Sequence, residues 1–180
     1  MTRDEIVAAV LQPHFDAVRD TFAKFSPTKG VKLSGLRKVK FIIDGSAGRG
    51  GTDLPDCEGR HFAATRDDGL LMYYAPEIVD IPHDTLVAIL AHEFGHAADH
   101  MYPAHWVMPP RGPGEATWIG SAETKQHRQW QQLWRDRSRD QIEWAADGIA
   151  QAVIGLRIGY AGACMLQSFA GGAERPAGLR

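Results

Sequence analysis

Two histidines and a glutamate that can bind and use a metal ion stand in one short segment of the chain. Residues 92–96 read His-Glu-Phe-Gly-His, which is an H-E-x-x-H sequence. In a helix, which turns once every 3.6 residues, His92 and His96 share one face and can bind one zinc ion. Glu93 then lies beside the ion, within reach of a bound water, and is the expected general base. About two chains in a hundred of this composition would contain the pattern by chance, so a third ligand must be identified.

The third ligand is not expected within the same helix. A catalytic zinc usually has three protein ligands and one open position. A metzincin would place a third histidine six residues after His96, where Tyr102 stands, and a glycine where Asp99 stands. His100 lies eight residues after His92, which is about 12 Å along a helix, too far to share one ion. The remaining ligand is therefore expected further along the chain.

Two carboxylates one helical turn apart supply candidates for that ligand. Residues 143–147 read Glu-Trp-Ala-Ala-Asp, so Glu143 and Asp147 share a helix face. One can bind the metal while the other accepts a hydrogen bond from the outer nitrogen of a ligand histidine. Their apolar neighbours indicate a largely buried helix, in which unpaired carboxylates would be costly. The spacing alone leaves open whether Glu143 or Asp147 is the ligand.

The sequences HEFGH at 92–96 and IEWAAD at 142–147 together resemble the gluzincins, which are thermolysin-like zinc peptidases, and especially their small single-domain members. The resemblance implies that Glu143 is the third ligand and that Asp147 supports His92. It further implies a zincin-like fold, one catalytic Zn²⁺ as cofactor and a peptide or protein as substrate. It covers roughly residues 37–155, although only the two motifs are specific.

The expected reaction is peptide-bond hydrolysis, in which Glu93 takes the proton of a zinc-activated water and passes it to the leaving amine. The chain lacks a clear equivalent of the downstream catalytic histidine of thermolysin. Tyr102, His105 and Tyr160 are candidate oxyanion donors, chosen by position only. The alternative function is a catalytically weak zinc-binding module that regulates or inhibits. The intact Glu93 and the absence of a well-placed fourth ligand favour the peptidase.

Composition narrows the class of protein. With 180 residues and 44% hydrophobic content, a single domain is expected over residues 1–170, followed by a flexible tail over 171–180. Twenty Lys and Arg against 22 Asp and Glu do not indicate a nucleic-acid or membrane partner. We predict a cytoplasmic protein, because no signal-peptide pattern or long apolar run is found. Cys57 and Cys164 form no CxxC motif, so His and carboxylates must bind any metal.

An N-terminal helix is predicted over residues 3–25. It is interrupted near Pro13, so either one helix or two short helices can form. The apolar positions that define its face are Ile6, Val10, Val18, Phe22 and Phe25.

Three strands are predicted next. Residues 37–43 alternate and then become apolar, and segments 61–65 and 70–75 flank an Asp-Asp-Gly turn at 67–69, which is typical of a hairpin. Segment 70–75 is the last strand before the H-E-x-x-H helix. By resemblance to the gluzincins, its free edge is expected to bind an extended substrate.

The second half of the chain is predicted to be mainly helical. A helix begins at Pro82, with Asp80 as its cap, and ends at Tyr102. Residues 103–120 are predicted to form a long loop, because they are rich in Pro and Gly. A polar helix over 121–135 follows.

The last predicted helix carries the carboxylate motif. It opens with a capping box, Ser138 to Gln141, and extends towards Gly155. The predicted fold class is therefore α/β in the α+β arrangement. A small twisted sheet of about three strands packs on the H-E-x-x-H helix and on the glutamate-bearing helix, as in zincins.

Overall fold

The fold combines helices with two small sheets, which confirms the predicted α+β class. The computed structural model describes residues 1–44, 63–65, 69–107, 115–120 and 125–155. Its α-helices are α1 (Arg3–Lys24), α2 (His83–Met101), α3 (Lys125–Arg135) and α4 (Arg139–Ile154). No helix of the described ranges is long and apolar enough to span a bilayer.

A single continuous helix, α1, forms the N-terminal segment. Thr2 and Glu5 close a capping box at its start. Pro13 lies inside α1 on its exposed side, so the helix continues although this residue donates no backbone hydrogen bond.

The buried face of α1 agrees with the predicted one at Val18 and Phe22 but differs from it in the first turns. Ile6 and Val10 are 47% and 49% exposed, so their assignment to the core is wrong. The core side chains recur every three or four residues: Val7, Leu11, Phe15, Val18 and Phe22. Apolar residues on both sides of the first turns made the face ambiguous from sequence.

The larger sheet consists of β1 (Lys40–Ile43), β2 (Ala63–Thr65) and β3 (Leu71–Tyr74) in the order β1-β3-β2. The predicted hairpin is confirmed, since β2 and β3 pair antiparallel. The first strand was predicted to begin at Arg37, but Ser34–Lys38 forms a 3-10 turn and β1 begins at Lys40.

The prediction of a free edge on the last strand before α2 is wrong. β3 is the middle strand, bonded to β1 in parallel and to β2 on its other side. A hairpin pattern reveals only the neighbour that is close in sequence, whereas parallel pairing joins distant segments. Among the described strands, β2 is the outer strand next to α2.

A second, two-stranded sheet replaces part of the loop predicted at 103–120. β4 (Trp106–Val107) pairs antiparallel with β5 (Thr117–Trp118). The two indole rings pack edge to face, 5.0 Å apart. The backbone N–H of Ala116 donates to the carbonyl of Gly148, which attaches this small ribbon to α4.

The starts of α2 and α3 are compared with the predicted ones as far as the described residues allow. Asp80 does not cap α2, because it ends a 3-10 turn at Pro76–Asp80, and Pro82 stands at the N-cap position without a side-chain hydrogen bond to the helix. α3 is described from Lys125, and the predicted start near residue 121 lies outside the described ranges.

The predicted ends of α4 are confirmed. Ser138 and Gln141 form both hydrogen bonds of the capping box. Gly155 adopts the left-handed conformation that ends a helix, with φ of 68°.

The core lies between α1, the larger sheet and α2. The ring of Phe94 is 5.1 Å from that of Phe15 and 5.4 Å from that of Phe22. Phe94 stands between the two histidines of the H-E-x-x-H sequence, so it is the side chain that anchors this part of α2 in the core. The opposite face of α2 packs against α4.

Candidate metal centre

The side chains of His92, His96 and Glu143, which the sequence motifs indicate as candidate metal ligands, come together between α2 and α4. Nε2 of His92 lies 3.0 Å from Nε2 of His96 and 3.0 Å from Oε2 of Glu143. Nε2 of His96 lies 3.3 Å from the same oxygen. Within the described ranges these residues form the group that can hold a metal ion.

The spacing of these three atoms fits a tetrahedral ion. With bonds of about 2.0–2.1 Å, two ligands of a tetrahedral zinc lie about 3.3 Å apart. The observed separations are 3.0, 3.0 and 3.3 Å, so one ion can contact all three atoms. Two imidazoles and one carboxylate are also the donor types that zinc accepts in sites with an open fourth position.

Asp147 lies behind His92, on the side away from the three converging atoms. Its Oδ1 is 2.7 Å from Nδ1 of His92, and both side chains are almost completely buried. This contact favours the tautomer in which Nδ1 donates to the carboxylate and Nε2 keeps its lone pair. Oδ2 of Asp147 is buried and has no hydrogen-bond partner in the described part of the chain.

The surrounding carboxylates favour a positive charge between α2 and α4. Burial lowers the pKa of His92, but its hydrogen bonds to Asp147 and Glu143 outweigh burial and raise the pKa well above 6.5. Burial raises the pKa of Glu143, but the bonds from His92 and His96 outweigh it and leave the pKa well below 4.5. In the metal-free protein a proton on His92 can supply this charge, and a metal ion can replace it.

Burial affects the pKa of Asp147 more strongly than the hydrogen bond with His92 does. It raises the pKa of this carboxyl above its usual value of 3.8, while the hydrogen bond with His92 acts in the opposite direction. Asp147 is thus a carboxylate whose charge depends on a positive partner at His92.

Gly95 allows the two ligand-bearing helices to approach closely. A Cβ atom at this position would lie 2.1 Å from the backbone oxygen of Ala146, far inside van der Waals contact. Ala146 stands one residue before Asp147 and three after Glu143, so this contact sets the distance between the motifs. Sequence reasoning missed Gly95, although a glycine inside a predicted helix was a signal for close packing.

Glu93 is held by a residue that sequence reasoning also missed. The hydroxyl of Thr65, in β2, donates to Oε2 of Glu93 at 2.5 Å. The Glu93 side chain is buried, with only 6% of the residue exposed. Thr65 stands 28 residues before Glu93 in a three-residue strand, and no local pattern links the two.

Two candidate oxyanion donors lie together at the C-terminal end of α2. The Tyr102 ring is 6.1 Å from the His105 ring and 5.8 Å from the Trp118 ring. Nδ1 of His105 is 3.0 Å from the carbonyl oxygen of Pro103. The structure therefore groups Tyr102 and His105 with the β4–β5 ribbon. The third candidate, Tyr160, lies outside the described residues, as does Cys57.

Asp99, which occupies the glycine position of the excluded metzincin pattern, has a packing role. It is buried, and its two oxygens accept hydrogen bonds from the indole of Trp134 at 2.9 Å and from Arg137 at 2.5 Å. These bonds tie α2 to the end of α3 and to the connection that leads into α4.

Comparisons of this chain with protein-family models, with curated proteins and with solved structures find no match.

Proposed function

We propose that this protein is a zinc-dependent peptidase of the gluzincin type. In this proposal His92, His96 and Glu143 bind Zn²⁺, and Glu93 is the general base. The main support for the proposal is that one side-chain atom each of His92, His96 and Glu143 lie 3.0–3.3 Å from one another. Glu93, which follows His92 directly in the chain, is buried. The Glu143 side chain is 23% exposed, which is consistent with an ion that substrate can reach from one side.

The residues around the site have distinct tasks in this reaction. When bound, zinc polarises the scissile carbonyl and makes water a better nucleophile at neutral pH. Glu93 accepts the proton of the attacking water and delivers it to the amine that leaves. Asp147 keeps Nδ1 of His92 protonated, so that Nε2 presents its lone pair. The donor to the oxyanion stays open among Tyr102, His105 and Tyr160.

We further propose that an extended peptide binds along β2. β2 is one of the two outer strands of the larger sheet as described, together with β1, and it is the one that carries the side chain that contacts Glu93. A peptide that pairs with an outer strand gains backbone hydrogen bonds, which place its carbonyl without requiring a particular sequence. β2 takes the place of β3, the strand expected from the sequence to bind substrate, because both edges of β3 are already paired with other strands.

The test compares the wild-type protein with Glu93→Gln, which removes the base and leaves the three ligands in place. Both proteins should contain about one zinc per chain by elemental analysis. Hydrolysis of a quenched fluorescent peptide library should fall at least about 100-fold in the variant. His92→Ala is the control that should lose zinc.

Two results would contradict the proposal. Hydrolysis at the wild-type rate by Glu93→Gln would exclude Glu93 as the base. A zinc-loaded wild-type protein that cleaves no peptide of the library would instead favour the regulatory or inhibitory module.

A further inference from the structure

The contact between Thr65 and Glu93 joins a side chain of the sheet to the buried glutamate of α2. The Thr65 hydroxyl lies 2.5 Å from Oε2 of Glu93 and 3.4 Å from the backbone oxygen of the same residue. A hydroxyl has one proton to donate, so the much shorter contact is the hydrogen bond. The carboxylate oxygen therefore receives a charge-assisted bond, which is stronger than a neutral one.

The position of Thr65 is fixed by its strand and by the adjoining turn. In the β2–β3 register, Thr65 pairs with Met72, which is completely buried. Gly69, with φ of +67°, lies between the two strands, and a Cβ there would come within 3.0 Å of the backbone oxygen of Ala97. Gly69 thus packs directly on α2, one residue beyond His96. Thr65 is therefore placed between a buried residue of β3 on one side and Glu93 of α2 on the other.

This contact decides which oxygen of Glu93 is available. A glutamate side chain has several rotatable bonds, and a general base must present one oxygen at hydrogen-bond distance from the proton that it removes. Because Thr65 donates to Oε2, this contact restricts rotation of the carboxylate and favours Oε1 as the oxygen that accepts a proton. The nearby Tyr74 is not a competing donor to Glu93, since its hydroxyl donates to the sulfur of Met72 at 3.1 Å.

We propose that Thr65 is a positioning residue for the general base. It holds one oxygen of Glu93 so that the other faces the reacting water. This inference rests on the proposed peptidase function and assigns to the sheet a task in catalysis beyond binding substrate.

The experiment removes the hydroxyl while keeping the shape of the side chain. Thr65→Val is close in volume and suits a strand, whereas Thr65→Ser keeps the hydroxyl. We expect kcat to fall by about 10- to 100-fold in Thr65→Val, with KM and zinc content unchanged, because a misplaced catalytic group costs rate. Thr65→Ser should stay within about threefold of wild type.

Matched controls separate positioning from folding. Thr21→Val removes a hydroxyl that bonds the Ala17 carbonyl on the exposed part of α1, and it should leave kcat unchanged. Thr65→Ala provides a second variant without the hydroxyl if Thr65→Val does not fold. In a Glu93→Gln background, Thr65→Val should cause no further loss of rate, since Thr65 acts through Glu93.

The outcomes distinguish this inference from the proposed function. Wild-type hydrolysis that disappears in Glu93→Gln supports the peptidase on its own. With that result, a wild-type kcat in Thr65→Val, or an equal loss in Thr65→Ser and Thr65→Val, would overturn the role of Thr65 only. Absence of hydrolysis by the zinc-loaded wild-type protein would overturn both proposals.

Discussion

At the scale of residues, Glu143 and Asp147 contact His92 from opposite sides. Glu143 lies 3.0 Å from Nε2 of His92, on the side where the ligand atoms converge, and it also contacts His96. Asp147 contacts only Nδ1 of His92, at 2.7 Å. The two carboxylates that sequence spacing left interchangeable therefore occupy different positions. In the proposed centre Glu143 would bind the ion, and Asp147 would orient His92.

Zinc affinity should therefore fall more in Glu143→Ala than in Asp147→Ala. The first variant loses a bond to the ion, whereas loss of a residue that orients a ligand typically costs about 10- to 100-fold. Competition with a chelator of known affinity measures both. Asp140→Ala, at an exposed position in the first turn of the same helix, should retain wild-type affinity. The reverse order of the first two variants would assign the ligand to Asp147.

At the scale of elements, the site depends on how closely α2 and α4 pack. The contact between Gly95 and the backbone of Ala146 brings the helices near enough for one ion to bridge residues 51 positions apart. The capping box at Ser138 and the left-handed Gly155 fix the two ends of α4. A small residue at the crossing point is therefore as necessary to the proposed centre as the ligands.

Gly95→Ala should destabilise the fold and weaken zinc binding together. Alanine favours a helix by about 1 kcal/mol over glycine, but a Cβ at 2.1 Å from backbone atoms cannot be relieved by a side-chain rotation. Overpacking of this kind typically costs about 1–3 kcal/mol, so we expect a net loss. Urea unfolding of the metal-free protein and chelator competition measure the two effects.

Gly35→Ala is the matched control for this substitution. Its Cβ would meet the end of the Met101 side chain at 2.9 Å, and a flexible side chain can move aside. It should lower stability less than Gly95→Ala and leave zinc affinity unchanged. If the two variants lower stability and zinc affinity equally, the close approach of α2 and α4 does not determine the geometry of the proposed metal centre.

At the scale of the whole molecule, the buried charges couple stability to pH and to metal. The raised pKa of His92 means that the folded, metal-free protein holds a proton more tightly than the unfolded chain does. This contribution to stability is complete below pH 6.5 and is lost as pH rises through the folded pKa. On the acid side, the lowered pKa of Glu143 and the raised pKa of Asp147 act in opposite directions, so only the alkaline side yields a clear sign.

The metal-free protein should therefore become less stable as pH is raised from 6.5 to about 8.5, by at most about 1.4 kcal/mol per pH unit from this one proton. The zinc-loaded protein should show the opposite trend, since zinc binds tighter when the proton is gone. Calorimetric melting with chelator and with excess zinc measures both slopes. His92→Gln should remove the metal-free slope, whereas His83→Gln, at an exposed position, should keep it.

Short-range patterns in the sequence were enough to select the four side chains that meet between α2 and α4 and the elements that carry them. The spacing of His92, His96, Glu143 and Asp147 within helices depends only on helical geometry, which is the same in any fold. The capping box at Ser138 and the antiparallel pairing of β2 with β3 likewise join residues that are close in sequence.

Only the tertiary structure decided how distant segments meet. The parallel pairing of β1 with β3 made β3 a central strand and left β2 on the outside, which a hairpin pattern cannot reveal. The bond between Thr65 and Glu93 and the contact between Gly95 and Ala146 both depend on the packing of separate elements. The choice between Ile6 and Val7 for the core of α1 was likewise decided by which side of the helix faces α2 and the sheet. The Thr65 hydroxyl, the absent Cβ of Gly95 and the central position of β3 produce no periodic pattern in the sequence. Each depends on contacts with residues far away along the chain.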